Sequence, residues 1–137
     1  MLTRRGFAGC ALCALTGFVA TAAEAEAPPA PTGIKRTILR RIEGPTPEYE
    51  TIIAQAEVDP GFAVPRHFHP GIESAYIAEG SGVFLLDGAE PQMIKAGDAV
   101  QVPTRRIHAV KNGDRPMKIV STYILEKGQP LAIPAPA

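Results

Sequence analysis

Apolar and polar residues alternate in short runs from Ile34 onward, and no segment has the spacing of an amphipathic helix. The clearest run covers residues 49–58, where apolar side chains fall on one face and mostly polar ones on the other. Because side chains alternate between the two faces of a strand, this pattern predicts a half-buried strand. The other predicted strands are residues 37–42, 74–78, 83–86, 99–102, 107–110 and 117–125.

Turn-forming residues separate these predicted strands. Asp87-Gly88 is a dipeptide of tight hairpin turns, and further glycine, proline and asparagine clusters lie between the other runs. Short strands spaced about ten residues apart are typical of an antiparallel sandwich or barrel. The fold class predicted from the pattern is therefore all-β.

The first 22 residues have the layout of a secretory signal peptide. Arg4 and Arg5 precede an apolar run over residues 7–20. Ala20-Thr21-Ala22 forms a small-x-small cleavage site, and Ala23-Glu24-Ala25 is the alternative. The run is shorter than the roughly 20 apolar residues of a membrane span, so no stable membrane anchor is expected. Residues 3–7, TRRGF, resemble a twin-arginine export signal, and an ordinary Sec signal is the alternative. We expect a periplasmic or secreted protein.

The remaining chain is predicted to form one domain with short extensions. Residues 23–33 are small and proline-rich, which predicts a flexible linker, and residues 34–127 form the predicted barrel domain. Residues 128–137 are expected to be a loosely packed, proline-rich tail. Cys10 and Cys13 both lie within the predicted signal, so no disulfide is expected in the mature protein.

Charge and histidine content narrow the function. Fourteen basic and fourteen acidic residues give a formal net charge of zero, and no basic stripe favours nucleic acid as a partner.

His67 and His69 would share one face of an extended segment, with Cα atoms about 6.6–6.8 Å apart. Two such imidazoles can converge on one ion about 2.0–2.1 Å from each nitrogen. Glu73 follows a short turn that can bring its carboxylate alongside, and His108 is the only other histidine.

These residues resemble the two sequence motifs of the cupin superfamily. The first motif is glycine, five residues, H-x-H, three or four residues, glutamate, six residues and glycine. It is matched by Gly61, His67, His69, Glu73 and Gly80. The second motif is matched by Gly97, Pro103, His108 and Asn112. Arg105 departs from the pattern, since it stands where the family has a glycine, and this puts the tight turn in doubt.

The resemblance covers residues 61–112 and, with the flanking strands, extends to about residues 38–125. It implies a jelly-roll barrel, also called a double-stranded β-helix, of short antiparallel strands. It also implies one divalent metal ion held by the ligands His67, His69, Glu73 and His108. Imidazole and carboxylate donors suit Fe(II), Mn(II), Ni(II), Zn(II) or Cu(II). Folding before twin-arginine export would load the metal where Cu and Zn are scarce, which favours Fe(II) or Mn(II).

Strand parity adds candidate residues beside the metal. If Lys118 points to water, Ser121 and Tyr123 point inward. A buried phenol needs a hydrogen-bond partner, so Tyr123 joins Glu73 as a candidate catalytic residue. Ser121, Arg105 and Arg106 are candidates for binding the substrate. The arginines would bind a carboxylate, and the alternative is that they are solvated loop residues.

Three functions remain open for a small-molecule substrate. The first is a dioxygenase-like oxidoreductase, in which the metal would keep positions for dioxygen and a chelating substrate. The second is an oxygen-independent lyase or isomerase acting on a sugar acid or a similar carbonyl compound. The third is a non-catalytic module that binds a metal or small ligand. The family resemblance also suggests a homodimer, with residues 37–42 and 49–58 as the contact.

Overall fold

The computed structural model describes residues 33–136, so the predicted signal peptide and all but the last residue of the predicted linker lie outside the described residues. The described chain forms ten β-strands and no helix, which confirms the all-β prediction. The strands are β1 Ile34–Glu43, β2 Tyr49–Val58, β3 Ala63–Phe68, β4 Gly71–Glu79, β5 Ser81–Leu86, β6 Gln92–Lys95, β7 Ala99–Val102, β8 His108–Asn112, β9 Met117–Glu126 and β10 Ile133–Pro134. Within residues 33–136, no helix has the length and apolar character needed to cross a membrane.

The strands form two five-stranded sheets with antiparallel pairing. The first sheet has the order β1-β2-β9-β4-β7, and the second has the order β10-β3-β8-β5-β6. This is the jelly-roll arrangement that the sequence predicted. Three strands, β3, β6 and β10, were not predicted from the sequence. They have six, four and two residues, and each contains or adjoins a proline.

The core lies between the sheets. On β4 and β9, every second residue is buried, including the fully buried Ile77 and Leu125. Such period-two burial is what places one face of each strand against the opposite sheet. The same face of β9 carries Ile119, Ser121 and Tyr123, so the inward orientation predicted for these residues is confirmed.

Strand β1 forms the open edge of the first sheet. Among the ten described strands it pairs with β2, and its register shifts between Ile38 and Arg40. Ile38, Leu39 and Ile42 expose 50%, 47% and 67% of their surface. The strand mixes these apolar residues with charged ones, and an edge strand of this kind can pair with another chain.

The proline-rich C-terminal segment packs against the barrel. Ile133 and Pro134 form β10 and pair with Phe68 and His67 of β3. The backbone N–H of Ala135 also donates to the carbonyl oxygen of Arg66 at 3.0 Å. The expectation of loose packing after residue 127 is therefore wrong for this stretch, because backbone pairing at a sheet edge requires no particular side chains.

Candidate metal centre

Strand register brings the three histidines together. His67 on β3 lies directly opposite His108 on β8, and His69 lies in the connection to β4. The ring centroids are 4.3 Å apart for His67 and His108 and 5.0 Å apart for the other two pairs. One nitrogen from each ring lies within 4.8 Å of the others, so the three imidazoles can hold one metal ion.

Each histidine has its Nδ1 beside a backbone carbonyl. The acceptor oxygens are those of Pro65 for His67 at 2.8 Å, Arg106 for His108 at 3.1 Å and Leu131 for His69 at 2.5 Å. A carbonyl oxygen can only accept, so Nδ1 must carry the hydrogen and donate it. The neutral ring then keeps its lone pair on Nε2. This is the arrangement that supports histidine ligands in metal sites.

Glu73 lies against two of these rings. On the first sheet it is paired with Tyr123, and its Oε2 lies 3.1 Å from Nε2 of His69 and 3.3 Å from Nε2 of His108. Its other oxygen, Oε1, accepts a hydrogen bond of 2.7 Å from the Ser121 hydroxyl. The carboxylate is therefore held from one side and presents its second oxygen to the histidines.

The buried Nε2 of His69 tests whether this site fits a cation. It has no hydrogen-bond partner among the described residues, although Glu73 Oε2 is only 3.1 Å away. With Nδ1 donating to Leu131, a neutral His69 offers a lone pair to a carboxylate that can also only accept. Two facing acceptors repel each other unless a proton or cation lies between them. The donor set of imidazole nitrogens and a carboxylate thus fits a divalent first-row metal ion.

The electrostatics of the site follow from burial and these contacts. Burial alone would raise the pKa of Glu73, but its contacts with His108, His69 and Ser121 outweigh burial and hold that pKa well below its usual range. The two imidazoles have this effect when a proton or a cation lies at Nε2. Burial is also the main reason why the pKa of His67 falls to about 4. Glu73 is therefore a carboxylate and His67 a neutral imidazole at neutral pH.

Tyr123 lies beside both the histidines and the carboxylate. Its ring is 4.9 Å from that of His69, and the residue lies opposite Glu73 in the pairing of β9 with β4. Burial, with the negative charge of Glu73, raises the pKa of Tyr123 well above its usual value. The phenol therefore keeps its proton at neutral pH and can donate it.

These groups lie in a cavity between the sheets. His67, Glu73, His108, Ser121 and Tyr123 line it among apolar side chains. The apolar lining residues are Ile34, Ala56, Val64, Ala75, Ile77, Phe84, Ile94, Val100, Val110 and Ile119. A mainly apolar cavity with a few convergent polar groups is typical of sites for small molecules.

The structure does not bring Arg105 and Arg106 to this cavity. Neither is among the described residues that line it. Arg105 instead lies 3.7 Å from the Glu126 carboxylate, and the Arg106 guanidinium donates to the carbonyl oxygen of Asp87. Their predicted role in binding substrate receives no support from this geometry. Of the predicted substrate contacts, only Ser121 lines the cavity, and its hydroxyl is engaged by Glu73.

The arginine at the cavity is Arg36, which sequence analysis did not identify. It lies on β1, opposite Ala56 of β2, and lines both the cavity and an adjoining, more open pocket. The two pockets share Ile34, Val64 and His67, and we call the more open one the mouth. No motif includes it, and it precedes the first predicted strand by one residue. The one feature of the sequence that predicts its position is its spacing from Ile34. The two residues lie two positions apart on a strand, so they share a face, and Ile34 also lines the cavity.

Two other motif positions have structural roles. Arg105 adopts a φ of 59°, so it makes the turn that the motif glycine would make, and its N–H donates to the carbonyl oxygen of His69 at 3.0 Å. Asn112 is buried and donates to the carbonyl oxygens of Val58, Asp59 and Arg115. Both residues hold loops near the histidines without facing the cavity.

Comparison with known sequences identifies a family. The profile described as the Cupin domain matches residues 54–135, which is more than half of the chain. The dimethylsulfoniopropionate lyase DddQ of Ruegeria pomeroyi is 38% identical over 56 residues, covering 41% of this chain and 28% of that protein.

Comparison with solved structures shows the same fold. The crystal structure of the DMSP lyase DddQ from Ruegeria pomeroyi matches with a TM-score of 0.57 and 25% identity, over 62% of this chain and 43% of that one. The Klebsiella pneumoniae protein with a double-stranded β-helix domain has a TM-score of 0.62 and 19% identity, over 77% and 90%. KdgF from Halomonas has a TM-score of 0.60 and 18% identity, over 70% and 83%. The chain spans less than half the length of either DddQ match.

Proposed function

The chain belongs to the cupin domain family, and from this premise we propose that it is a metal-dependent lyase that acts on a small organic acid. The observation that carries the proposal is the convergence of three imidazoles with the Glu73 carboxylate. His67, His108, Glu73 and the Tyr123 phenol line one mainly apolar cavity, and His69 lies against Glu73. This set combines a place for a cation with two groups that can move a proton.

The relatives favour a lyase over the dioxygenase that we expected first from sequence. The curated relative and a solved structure at 25% identity are both described as dimethylsulfoniopropionate lyases. Neither is covered over two thirds of its length, so the reaction class is proposed for this chain. The likeness supports the oxygen-independent alternative of the sequence analysis.

His67, His69, His108 and Glu73 are the residues that would hold the metal ion. The chemistry supplied by a bound divalent cation would be Lewis-acid polarisation of a substrate carbonyl or carboxylate oxygen. We favour Fe(II) or Mn(II), because the donors are nitrogen and oxygen and the described residues include no cysteine. The carbonyls of Pro65, Arg106 and Leu131 would keep the three Nε2 lone pairs directed at the ion.

Proton transfer is assigned to the Glu73 and Tyr123 side chains. Glu73 is ionised and can accept a proton removed next to the substrate carbonyl group. Tyr123 keeps its proton, and its hydroxyl can donate to a developing oxyanion or to the leaving group. Ser121 orients Glu73 through the hydrogen bond to Oε1.

The experiment is a strictly anaerobic assay of the metal-loaded full chain, purified without a metal-binding tag. Dimethylsulfoniopropionate and a panel of sugar acids and other substituted organic acids would be followed by NMR. We expect product without oxygen, and no product after metal removal or in His108→Ala. The matched control is Lys111→Ala, an exposed residue on the same strand.

Two other outcomes would overturn the proposed reaction. Turnover that requires oxygen and consumes it would restore the dioxygenase assignment. Retention of metal with no turnover of any compound, aerobic or anaerobic, would instead favour a binding module, which a ligand-induced rise in melting temperature would reveal.

We also propose export and self-association. Arg4 and Arg5 form the paired arginine of the proposed twin-arginine signal, so replacing both by lysine should block export. Undisturbed export would argue for the Sec route.

The exposed apolar residues of the edge strand β1 support a homodimer. It would be measured by sedimentation of the wild type and of Ile42→Lys.

A further inference from the structure

Arg36 is the charged residue of β1 at the entrance to the cavity. It lines the cavity and also the mouth, where the other lining residues include Pro65, Ala132 and Pro134. Two residues before it, Ile34 lines the same space, so the strand parity that turns Ile34 inward also directs Arg36 there. Arg36 is an exposed residue and is not part of the core.

The positive charge of Arg36 has no partner carboxylate in the described part of the chain. Within residues 33–136, no acidic oxygen lies within 4.0 Å of it. Arg66 also lines the mouth, but its guanidinium is paired with the Asp87 carboxylate at 2.5 Å. Arg36 is thus the mouth arginine whose donors remain available to a ligand.

Arg36 and the histidines face the same cavity. Arg36 and His67 both line the cavity and its mouth, and His108 lines the cavity. A ligand spanning the cavity would therefore meet a cation at its outer end and the cation-binding histidines at its inner end. Both ends of the cavity favour negative or electron-rich oxygen groups.

We infer that Arg36 forms a carboxylate-binding subsite at the mouth, so that the ligand is a small organic acid with an anionic outer end and an oxygen group at its inner end. This rests on the proposed function and narrows its substrate class. Dicarboxylates and keto or hydroxy acids have this distribution. A sulfonium carboxylate does not, because either orientation places its positive group beside Arg36 or beside the metal-binding histidines.

The test compares ligand binding by the Mn(II)-loaded full chain and its variants, measured by calorimetry. The probes are malonate, succinate and glutarate, each beside its monoamide, and dimethylsulfoniopropionate. We expect at least one dicarboxylate to bind the wild type and to bind Arg36→Gln about tenfold or more weakly, since a charge-assisted pair is lost. Arg36→Lys should recover part of the affinity.

Arg40→Gln is the matched control. Arg40 lies on the same strand, is exposed and is paired with Ile53, and it does not line the cavity. It should bind the dicarboxylates like the wild type. Equal binding by Arg36→Gln and the wild type, or no Arg36-dependent binding of any of the three dicarboxylates, would overturn the inference.

The outcome is separable from that of the lyase assay. Arg36-dependent binding without turnover of any compound would retain the subsite and reject the lyase. Anaerobic cleavage of dimethylsulfoniopropionate that is unchanged in Arg36→Gln would retain the lyase and reject the subsite.

Discussion

The two sheets contribute different chemistry to one cavity. The second sheet supplies His67 and His108 from paired positions on β3 and β8, and its edge strand β10 is continuous with the segment whose carbonyl holds His69. The first sheet supplies Glu73, Ser121 and Tyr123 from β4 and β9, and Arg36 from β1. The nitrogen ligands thus lie on one side, and the proton-moving and charge-recognising groups lie on the other.

Because the nitrogen ligands and the reactive side chains lie on different sheets, we expect that metal retention and turnover can be altered separately. Glu73 is the point of contact, since its carboxylate reaches Nε2 of both His69 and His108. Changes confined to the second sheet should therefore act on metal content, and changes to the first sheet beyond Glu73 should act on the reaction with the metal in place.

The strongest expected effect is the loss of a nitrogen ligand. His108→Ala should reduce metal retained after gel filtration to background, because affinity should fall by more than the roughly 10–100-fold typical of supporting residues. Elemental mass spectrometry would measure the metal beside Lys111→Ala. Full metal content in His108→Ala would mean that the ion does not bind at the three histidines. The comparison of the two sheets would then lose its basis.

On the first sheet, the largest effect is expected from Tyr123→Phe. Loss of a proton donor should reduce kcat by about 10²–10⁴-fold, with metal content unchanged. The control is Thr122→Val, whose side chain is exposed on the same strand. A Tyr123→Phe protein that loses its metal as well would show that the phenol supports the metal site, and the two sheets would not be separable.

A smaller effect tests the C-terminal segment. A chain ending at residue 128 lacks Leu131 and β10, so His69 loses the carbonyl that orients its ring. Metal affinity should fall by about 10–100-fold, as for other supporting contacts. A chain ending at residue 135 retains both features and serves as the control. Equal metal affinity in the two truncated chains would show that His69 is oriented without this contact.

The smallest effect is expected at Arg105, outside the cavity. Its φ of 59° costs a non-glycine residue about 1–2 kcal/mol, and glycine would relieve that strain. Glycine also increases the entropy of the unfolded chain, at about 0.5–1 kcal/mol. Arg105→Gly should therefore raise the unfolding free energy by at most about 1.5 kcal/mol in urea titration, with metal content unchanged. A clear destabilisation would mean that the contact with Glu126 matters more than strain.

The motif resemblance predicted that the three histidines lie together, and strand parity predicted which side chains of β9 point inward. His67 and His69 lie two residues apart, and the inward positions of Ser121 and Tyr123 follow from alternation along β9. The contact of His69 with the carbonyl oxygen of Leu131, 62 residues away, could not be predicted from the sequence because any residue type can supply a backbone oxygen.

Arg36 was missed for a related reason. Its position at the mouth depends on how β1 pairs with β2, and no local pattern in the sequence fixes that register. Arg105 and Arg106 were selected because they lie close to His108 along the chain. Proximity in sequence does not determine the direction in which loop side chains point.

Arg36 and the exposed apolar residues Ile38, Leu39 and Ile42 share one edge strand. A second chain that pairs with this edge would meet the entrance of the cavity at the same time. Ligand affinity and self-association would then be thermodynamically linked, so that the concentration of the protein itself would set how tightly it holds its substrate.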